Sequence, residues 1–434
     1  MRSTLAIDLT CLALGPLSWT PRGIDRVELA YAWHFLNHWP GECVVVIPTL
    51  WGMRYFDRSR AVRGLLALEE IWREKISPED DASYSRMKSF ILTHSAASWS
   101  AFAPRAKPTW QQARDFFRLL RGTGLAFGKS VGSLPKDAIY LNVGQLLFLR
   151  PFISWLARRP DILSVFMIHD LLPLEYPDHH VSLGIRLHRS IVRNTAELAR
   201  ALIVPSHAVR TSLQQSFLPP RLATLPTHVE LLPVSPAFLQ PAKKDPELSH
   251  AEYFIACGAI DAHKNHILLL EVWKELVARH GDRTPKLVIA GFRSVTSKPI
   301  FDFIADHPAI HKKVIISSGL STPALRRLIM SAKALLMPSI AEGFGLPIIE
   351  ALAQGVPVLA SDIPAMREAG AGGNVTYLPA TDATEWRSAI EAFGKNPHGQ
   401  GEVSQYVPKQ WSDYFLGIEA FLTELQANQL QKNQ

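Results

Sequence analysis

Two carboxylates lie on either side of a glycine-containing turn in the second half of the chain. Residues 338–352 read PSIAEGFGLPIIEAL, so Glu342 precedes Gly343, Phe344, Gly345 and Leu346, and Glu350 follows after seven intervening positions. A glycine-rich turn before a helix offers free amides to an anion, and carboxylates accept hydrogen bonds from hydroxyl groups. The pattern predicts a site for a ligand with both phosphate and sugar. A plain strand–turn–helix corner with two unremarkable glutamates is the alternative.

A lysine follows another apolar run, in the sequence CGAIDAHKNH over 257–266. An ammonium group is a common partner of phosphate, so Lys264 is a candidate to neutralise a diphosphate held by the first loop. His263, beside Lys264, is predicted to bind substrate as well. Gly291, after a further apolar run, is a weaker addition. Without the first motif, a surface lysine next to a helix start would explain this segment equally well.

The first half of the chain offers a histidine and an aspartate where an apolar run stops, at His169 and Asp170. Residues at strand ends in open α/β sheets often bind ligands, so we expect His169 to shape a sugar pocket, with a buried core histidine as the alternative. Gly23 permits a ligand to approach the backbone closely. His179 and His180 follow, and with His169 and Asp170 they leave open a metal-dependent hydrolase.

The elements that must position these residues alternate between short apolar runs and helical patterns. Over 246–410 five apolar runs are separated by helical segments, which predicts a parallel sheet covered by helices. The first domain, over 1–235, begins as a strand–helix–strand unit, and the region of about 51–133 shows no strand pattern and is predicted to be a helical insertion. Repeated prolines between the domains indicate a linker. A terminal helix over 411–434 is amphipathic and would suit packing back on the first domain.

Composition limits the classes of protein. The 434 residues carry 46 Lys and Arg against 39 Asp and Glu, a formal net charge of +7 that favours contact with phosphates or anionic lipid. Cys11, Cys43 and Cys257 are far apart within apolar runs, so we expect three small buried side chains. The apolar stretch 139–157 contains an Arg-Pro pair, and Asp8 interrupts the N-terminal apolar run. These features predict a cytoplasmic protein without a signal peptide or transmembrane helix.

The motif with two glutamates resembles that of glycosyltransferase family four, whose members are retaining enzymes. The resemblance implies an α/β fold with two Rossmann-like domains facing across a cleft, called GT-B. It implies that Glu342 and the amides of residues 343–346 hold the donor sugar and diphosphate, and that Glu350 binds the ribose. It also implies that Lys264 binds the diphosphate, that His169 lies near the transferred sugar, and that the Gly23 loop closes on the donor phosphate.

Two positions depart from the family pattern. Many members carry arginine where this chain has Ala259, and related members carry arginine where it has His263. Neutralisation of the diphosphate would then be weaker, or another cation such as Arg293 would supply it.

The resemblance extends to bacterial polysaccharide mannosyltransferases. It implies transfer of a hexose, with GDP-mannose as the expected donor, to a hydroxyl of a saccharide or lipid-linked saccharide in cell-surface polysaccharide synthesis. We expect no metal, no other cofactor and no nucleic-acid partner. A nucleotide-sugar epimerase or phosphorylase of the same fold, and a non-catalytic sensor of nucleotide sugars, are alternatives.

Two segments of the first half mix basic and aromatic residues. Pro104–Ser130 combines six Lys and Arg with Trp110, Phe116 and Phe117, and Phe148–Arg159 repeats the mixture around Trp155. This composition is typical of helices that lie on anionic lipid, which predicts a peripheral position on the inner face of the plasma membrane. Amphipathic helices that pack on their own domain are an equal alternative.

Overall fold

The computed structural model describes residues 3–14, 21–72, 76–93, 110–145, 150–240, 243–395 and 406–432, which form two α/β domains. The first domain and its connections contain β1 (Leu5–Asp8), α1 (Thr10–Ala13), α2 (Gly23–His38), β2 (Cys43–Thr49), β3 (Gly52–Asp57), α3 (Arg58–Ile71), α4 (Ala82–Leu92), α5 (Trp110–Gly122), β4 (Lys129–Ser130), β5 (Ile139–Asn142), α6 (Arg150–Ala157), β6 (Leu163–Met167), α7 (Leu172–Glu175), α8 (Ser182–Leu198), β7 (Ala201–Val204), α9 (His207–Ser212), α10 (Arg221–Thr224), β8 (Thr227–Val229) and α11 (Pro236–Leu239).

The second domain continues the alternation of strand and helix. Its elements are β9 (Tyr253–Cys257), α12 (His266–His280), β10 (Lys286–Ala290), α13 (Lys298–Asp306), β11 (Val314–Ser317), α14 (Thr322–Ser331), β12 (Leu335–Met337), α15 (Leu346–Leu352), β13 (Val358–Ser361), α16 (Pro364–Ala369), β14 (Val375–Leu378) and α17 (Ala383–Lys395), followed by α18 (Trp411–Lys432).

Each domain is built on a largely parallel sheet. The first sheet has the strand order β4-β3-β2-β1-β5-β6-β7-β8, and the second has β11-β10-β9-β12-β13-β14. In the second sheet all neighbours are parallel, and strands such as β9 and β10 are buried along their whole length. Helices on both faces of a parallel sheet bury its strands, which explains why these runs are continuously apolar.

The prediction of a purely helical segment over about 51–133 is wrong at its two ends. Strand β3 pairs antiparallel with β2 after a tight turn in which Gly52 has a φ of 88°, and β4 pairs antiparallel with β3. Only part of β3 is buried, in keeping with its place near the sheet edge. Short, half-buried strands give a weak apolar signal, which is why the sequence pattern missed them.

Helix α4 comes from the first half of the chain but packs on the second sheet. The Tyr84 hydroxyl donates to Asp245 at 2.6 Å, and the Ser83 hydroxyl donates to the Ser318 carbonyl at 3.1 Å. The amide of Ser321 donates to the Asp81 carboxylate just before α4, at 2.7 Å. The segment 77–93 therefore belongs spatially to the second domain, beside its edge strand β11.

The terminal helix α18 lies along α2 of the first domain. The hydroxyls of Tyr31 and Tyr414 are 2.6 Å apart, and the rings of His34 and Phe415 stack at 3.8 Å. In the proline-rich stretch before the second domain, the short strand β8 pairs with β7 at the edge of the first sheet. Prolines are tolerated next to such an edge strand. The three cysteines are free and buried, as predicted.

Candidate functional site

A cavity of about 470 Å³ lies between the two domains, where residues from the carboxyl ends of both sheets meet. Its lining includes ten of the residues predicted for the donor and sugar site, namely Gly23, His169, Asp170, Lys264, Glu342, Gly343, Phe344, Gly345, Leu346 and Glu350. The strand ends of β6, β9, β10 and β11 all contribute. The parallel sheets therefore bring residues from distant parts of the chain to one cleft, as expected for ligand sites in open α/β folds.

Lys264 and Glu342 form an ion pair at this cavity, with most of both side chains buried. The Ser339 hydroxyl donates to the same carboxylate at 2.7 Å. Burial by itself raises the pKa of Glu342, but the nearby charge of Lys264 and the hydrogen bonds outweigh it and hold that pKa below its usual value. Glu342 is thus ionised at neutral pH and can accept hydrogen bonds.

The glycine turn brings the two domains into close contact. A Cβ atom at Gly343 would lie 2.1 Å from the His169 carbonyl oxygen, so no other residue fits there without a shift. Gly345 has a φ of 111° and lies directly before α15, with Pro347 as the second residue of that helix. Proline suits this position because no intrahelical partner is needed for its nitrogen. Residues 343–346 of the turn line the cavity.

His169 is buried and held in one orientation. Its Nε2 lies 2.6 Å from the Val143 carbonyl, which can only accept, so Nε2 carries the hydrogen and Nδ1 is an acceptor. Its backbone N–H donates to the Gln145 side chain at 3.2 Å. Burial lowers the pKa of His169, with smaller opposing effects from that carbonyl and from Asp170. The ring is neutral at pH 7 and lines the cavity from the first domain.

The histidines proposed for a hydrolase are not gathered around a metal. His180 stacks on His263 across the domains, with ring centroids 5.5 Å apart, whereas His169 lines the cavity. Across the described ranges, no three His, Cys, Asp or Glu side chains are placed to share a metal ion. His263 is not among the residues that line the cavity, and its ring packs against His180, so its contact with substrate stays a prediction.

Besides the expected Lys264, the cavity is lined by two arginines that were not predicted to bind the diphosphate. Arg293, the predicted substitute at the diphosphate, lies over the Phe301 ring at 4.2 Å and donates to Ser297, away from the cavity. Arg22 and Arg26 line the cavity instead. Arg22 is the residue before α2, and Arg26 lies in the first turn of that helix. In the sequence, the two arginines of the RGIDR segment that follows the first apolar run were the feature from which these cations could have been predicted.

Two further contacts hold the domains together beside the cavity. The Ser206 hydroxyl donates to the Gly343 carbonyl at 2.7 Å. The Glu368 carboxylate of the second domain accepts from the amides of His207 and Ala208 at 2.7 Å each. A carboxylate at the start of a helix satisfies amides that have no partner within the helix, so Glu368 fixes α9 against the second domain.

The two basic and aromatic segments have different environments. In the first, residues 104–109 lie outside the described part of the chain, but α5 exposes Trp110, Phe117 and Arg118. In the second, Phe148 also lies outside it, and Trp155 is buried against Tyr140. Arg159 is bonded to Asp161 and to the carbonyl of Leu134. The described part of the second segment therefore packs within its own domain, which agrees with the alternative given for it, and contact of this segment with lipid stays a prediction.

Comparison with known proteins identifies the second domain. The family model of "Glycosyl transferases group 1" matches residues 241–410. The O-antigen chain mannosyltransferase RfbU of Salmonella typhimurium is 27% identical over 247 residues, which are 56% of this chain and 64% of that protein. The serotype-specific mannosyltransferase WbdA of Escherichia coli is 26% identical over 279 residues, 60% of this chain and 34% of WbdA. The match thus spans less than two thirds of either relative.

Solved structures agree over almost the whole chain. Sucrose-phosphate synthase from Thermosynechococcus elongatus superposes with a TM-score of 0.62 at 13% identity, over 98% of this chain and 100% of that one. HepE from Anabaena, solved in complex with UDP, superposes with a TM-score of 0.54 at 15% identity, over 99% of both chains. At such identities the likeness concerns the fold. Residues 241–410 are a group 1 glycosyl transferase domain, the second of two Rossmann-like domains in a GT-B fold, and the chain resembles bacterial mannosyltransferases.

Proposed function

We propose that this protein is a retaining glycosyltransferase that moves a hexose from a nucleotide sugar to an acceptor hydroxyl. The observation that carries the proposal is the buried pair of Lys264 and Glu342 beside the glycine turn, facing His169 across one cavity. An ammonium suits a diphosphate, and an ionised carboxylate suits sugar hydroxyls. The group 1 domain and the named mannosyltransferase relatives support the same activity.

Each residue has a distinct task in the reaction. The Lys264 ammonium binds the diphosphate and stabilises the charge that develops as the bond from the anomeric carbon to the phosphate oxygen breaks. Glu342 accepts hydrogen bonds from the donor sugar, and Glu350 from the ribose. The acceptor hydroxyl forms its new bond on the face that the diphosphate leaves, and its proton passes to the diphosphate oxygen. Neutral His169 accepts a sugar hydroxyl hydrogen at Nδ1.

Mannose from GDP-mannose is the proposed donor. Support comes from the relatives named O-antigen and serotype-specific mannosyltransferases. A thermal-shift series with GDP-, UDP- and dTDP-sugars tests it, and GDP-mannose should raise the melting temperature most. If only a UDP-sugar stabilised the protein, GDP-mannose would be excluded as the donor. If the protein converted the nucleotide sugar into its epimer without any acceptor, the activity would be that of an epimerase and not of a transferase.

A lipid-linked saccharide is the proposed acceptor, delivered at the inner face of the plasma membrane in cell-surface polysaccharide synthesis. One surface supports this, and we call it the aromatic-basic surface. It comprises Leu50, Trp51, Trp110, Phe117 and Phe127 with Arg114, Arg118 and Arg121.

The aromatic-basic surface combines exposed residues of α5 with Phe127, which follows that helix, and with the exposed Leu50 and Trp51. Trp110 is 93% exposed and Phe127 is 76% exposed, and the rings of Trp51 and Phe127 stack at 5.7 Å. Leu119, on the opposite side of α5, is buried in the core. Exposed aromatics next to arginines suit the boundary between lipid head groups and acyl chains. Within the described residues, no helix is long and apolar enough to cross a bilayer.

Vesicle flotation tests the membrane proposal. The protein should float with vesicles of phosphatidylglycerol and phosphatidylethanolamine at low salt and release as ionic strength rises. Reversing Arg114, Arg118 and Arg121 to Glu should abolish flotation. The matched control reverses Arg186, Arg189 and Arg193, which are exposed on α8. Equal loss in both triple variants, or no flotation of the unaltered protein, would exclude this surface.

A further inference from the structure

Arg26 extends from the first domain to two residues of the second. Its Nη1 lies 3.2 Å from Oε1 of Glu350, and its Nη2 donates to the Thr322 hydroxyl at 3.0 Å. The side chain of Glu350 is nearly buried, and that of Arg26 is about one fifth exposed. An ion pair in such surroundings is screened little by solvent, so it connects α2 firmly to α14 and α15.

The charges around the cavity leave a requirement for a second cation. Among its lining residues, Lys264 is paired with Glu342, and Arg22 is paired with Asp25. A nucleoside diphosphate adds at least two negative charges, of which the single ammonium of Lys264 offsets about one. Arg26 faces the same cavity and carries a guanidinium, whose planar fork can bind two phosphate oxygens at once.

Arg22 and Arg26 are held in different ways. Arg22 makes two short hydrogen bonds to Asp25, from Nε at 2.9 Å and from Nη2 at 2.8 Å, within its own domain. The contact of Arg26 with Glu350 is longer, at 3.2 Å, and its partner belongs to the other domain. Glu350 is also the carboxylate assigned to the ribose under the proposed function. Ribose hydroxyls and Arg26 therefore compete for one carboxylate.

We propose that Arg26 is a donor-binding residue supplied by the first domain. It exchanges its contact with Glu350 for the diphosphate oxygens when the ribose takes that carboxylate. This inference rests on the proposed function, because it requires a nucleoside diphosphate in the cavity. After the exchange the carboxylate accepts hydrogen bonds from the ribose hydroxyls and the guanidinium is paired with the diphosphate, so neither group is left without a hydrogen-bond partner. It also makes the donor a bridge between α2 and the second domain.

Calorimetric titrations separate the phosphate contact from the rest of the site. GDP, GMP and guanosine, with UDP, UMP and uridine alongside, are titrated into the unaltered protein, Arg26→Ala, Arg26→Lys and the control Arg367→Ala. Arg367 is an exposed arginine paired with Asp362, outside the cavity lining. Thermal melts check the fold, and Arg26→Gln replaces the alanine variant if that variant is unfolded.

The Arg26→Ala variant should raise the Kd of the nucleoside diphosphate about 10- to 100-fold, the loss of one hydrogen-bonded charge contact. Its Kd for the nucleoside should stay unchanged or fall, since Glu350 loses a competitor, and Arg26→Lys should lie between. Equal weakening of diphosphate and nucleoside, or no weakening, would overturn the role of Arg26. If the unaltered protein bound no nucleoside diphosphate, the proposed function itself would fail.

Discussion

The two walls of the cleft are built in different ways. On the second domain, the candidate residues Lys264, Glu342 and Glu350 come from two strand–loop–helix units of one regular parallel sheet. On the first domain, Gly23, Arg26 and His169 come from segments about 140 residues apart, and the sheet has antiparallel strands at one edge. Under the proposed function the second-domain side of the cleft holds most of the donor, so we call it the donor wall. We call the first-domain side, which adds Arg26 to the donor site, the acceptor wall. The donor wall comes from neighbouring units of one sheet, whereas the acceptor wall is assembled from distant segments.

The largest loss should follow removal of the charged pair on the donor wall. Lys264→Ala and Glu342→Ala should each lower kcat/KM about 30- to 1000-fold, because an electrostatic contact of this kind is worth about 2–4 kcal/mol in a transition state. Sugar transfer to a purified acceptor measures it, with melting curves to check the fold. Lys298→Ala, which removes an exposed lysine from a surface ion pair, is the control. A wild-type rate in either variant would contradict the assignment of Lys264 and Glu342 to donor binding.

The next largest effect should come from added bulk at Gly343, where the glycine turn of the donor wall meets His169 of the acceptor wall. Gly343→Ala places a Cβ within 2.1 Å of the His169 carbonyl, so the domains must move apart. Overpacking of this kind costs about 1–3 kcal/mol, and we expect lower activity together with a lower melting temperature. Gly122→Ala adds a methyl group in open space and should change neither. If both glycine variants behaved alike, the close approach of the two loops would be wrong.

Acid should destabilise the donor wall through His266. Burial, with a smaller effect from Lys264, lowers the pKa of His266 to about 3. The unfolded chain binds this proton below about pH 6.5, whereas the folded protein does not, so stability falls as the pH decreases from 6.5 towards 3. Between pH 7 and pH 5 the loss from this group should be about 2 kcal/mol.

Denaturant unfolding at a series of pH values measures that slope. His266→Gln should flatten the decline, and His250→Gln, at an exposed histidine, should leave it unchanged. Burial also lowers the pKa values of the buried His169 and of the partly buried His180 and His263, and these groups add declines of the same sign. An unchanged slope in His266→Gln would contradict the burial of that ring.

The smallest effect should come from the contact between α2 and α18, which lies outside the cleft. Tyr414→Phe removes the hydroxyl that pairs with Tyr31 and should cost about 1 kcal/mol of unfolding free energy. Nucleotide affinity should not change, because these residues lie between α2 and α18. Leu416→Ala, on the exposed side of α18, serves as the control for helix propensity. A changed nucleotide affinity in Tyr414→Phe would show that packing between α2 and α18 influences the donor site, contrary to this expectation.

The donor wall was easier to predict from sequence than the acceptor wall. Glu342 and Glu350 lie in one local motif, and the regular alternation of apolar runs identified the second sheet. The Arg26–Glu350 contact joins residues 324 positions apart, and no local pattern encodes such a pair. Helix α4 was assigned to the wrong domain for the same reason, since its amphipathic face does not say which sheet it covers.

Crystals grown with the nucleoside diphosphate that stabilises the protein most would test the central claim directly. Diffraction should show the diphosphate within about 3 Å of Lys264 Nζ and of the amides at the Gly343–Leu346 turn, with the ribose hydroxyls at Glu350. A diphosphate bound away from Lys264 and that turn would contradict the account of the donor wall.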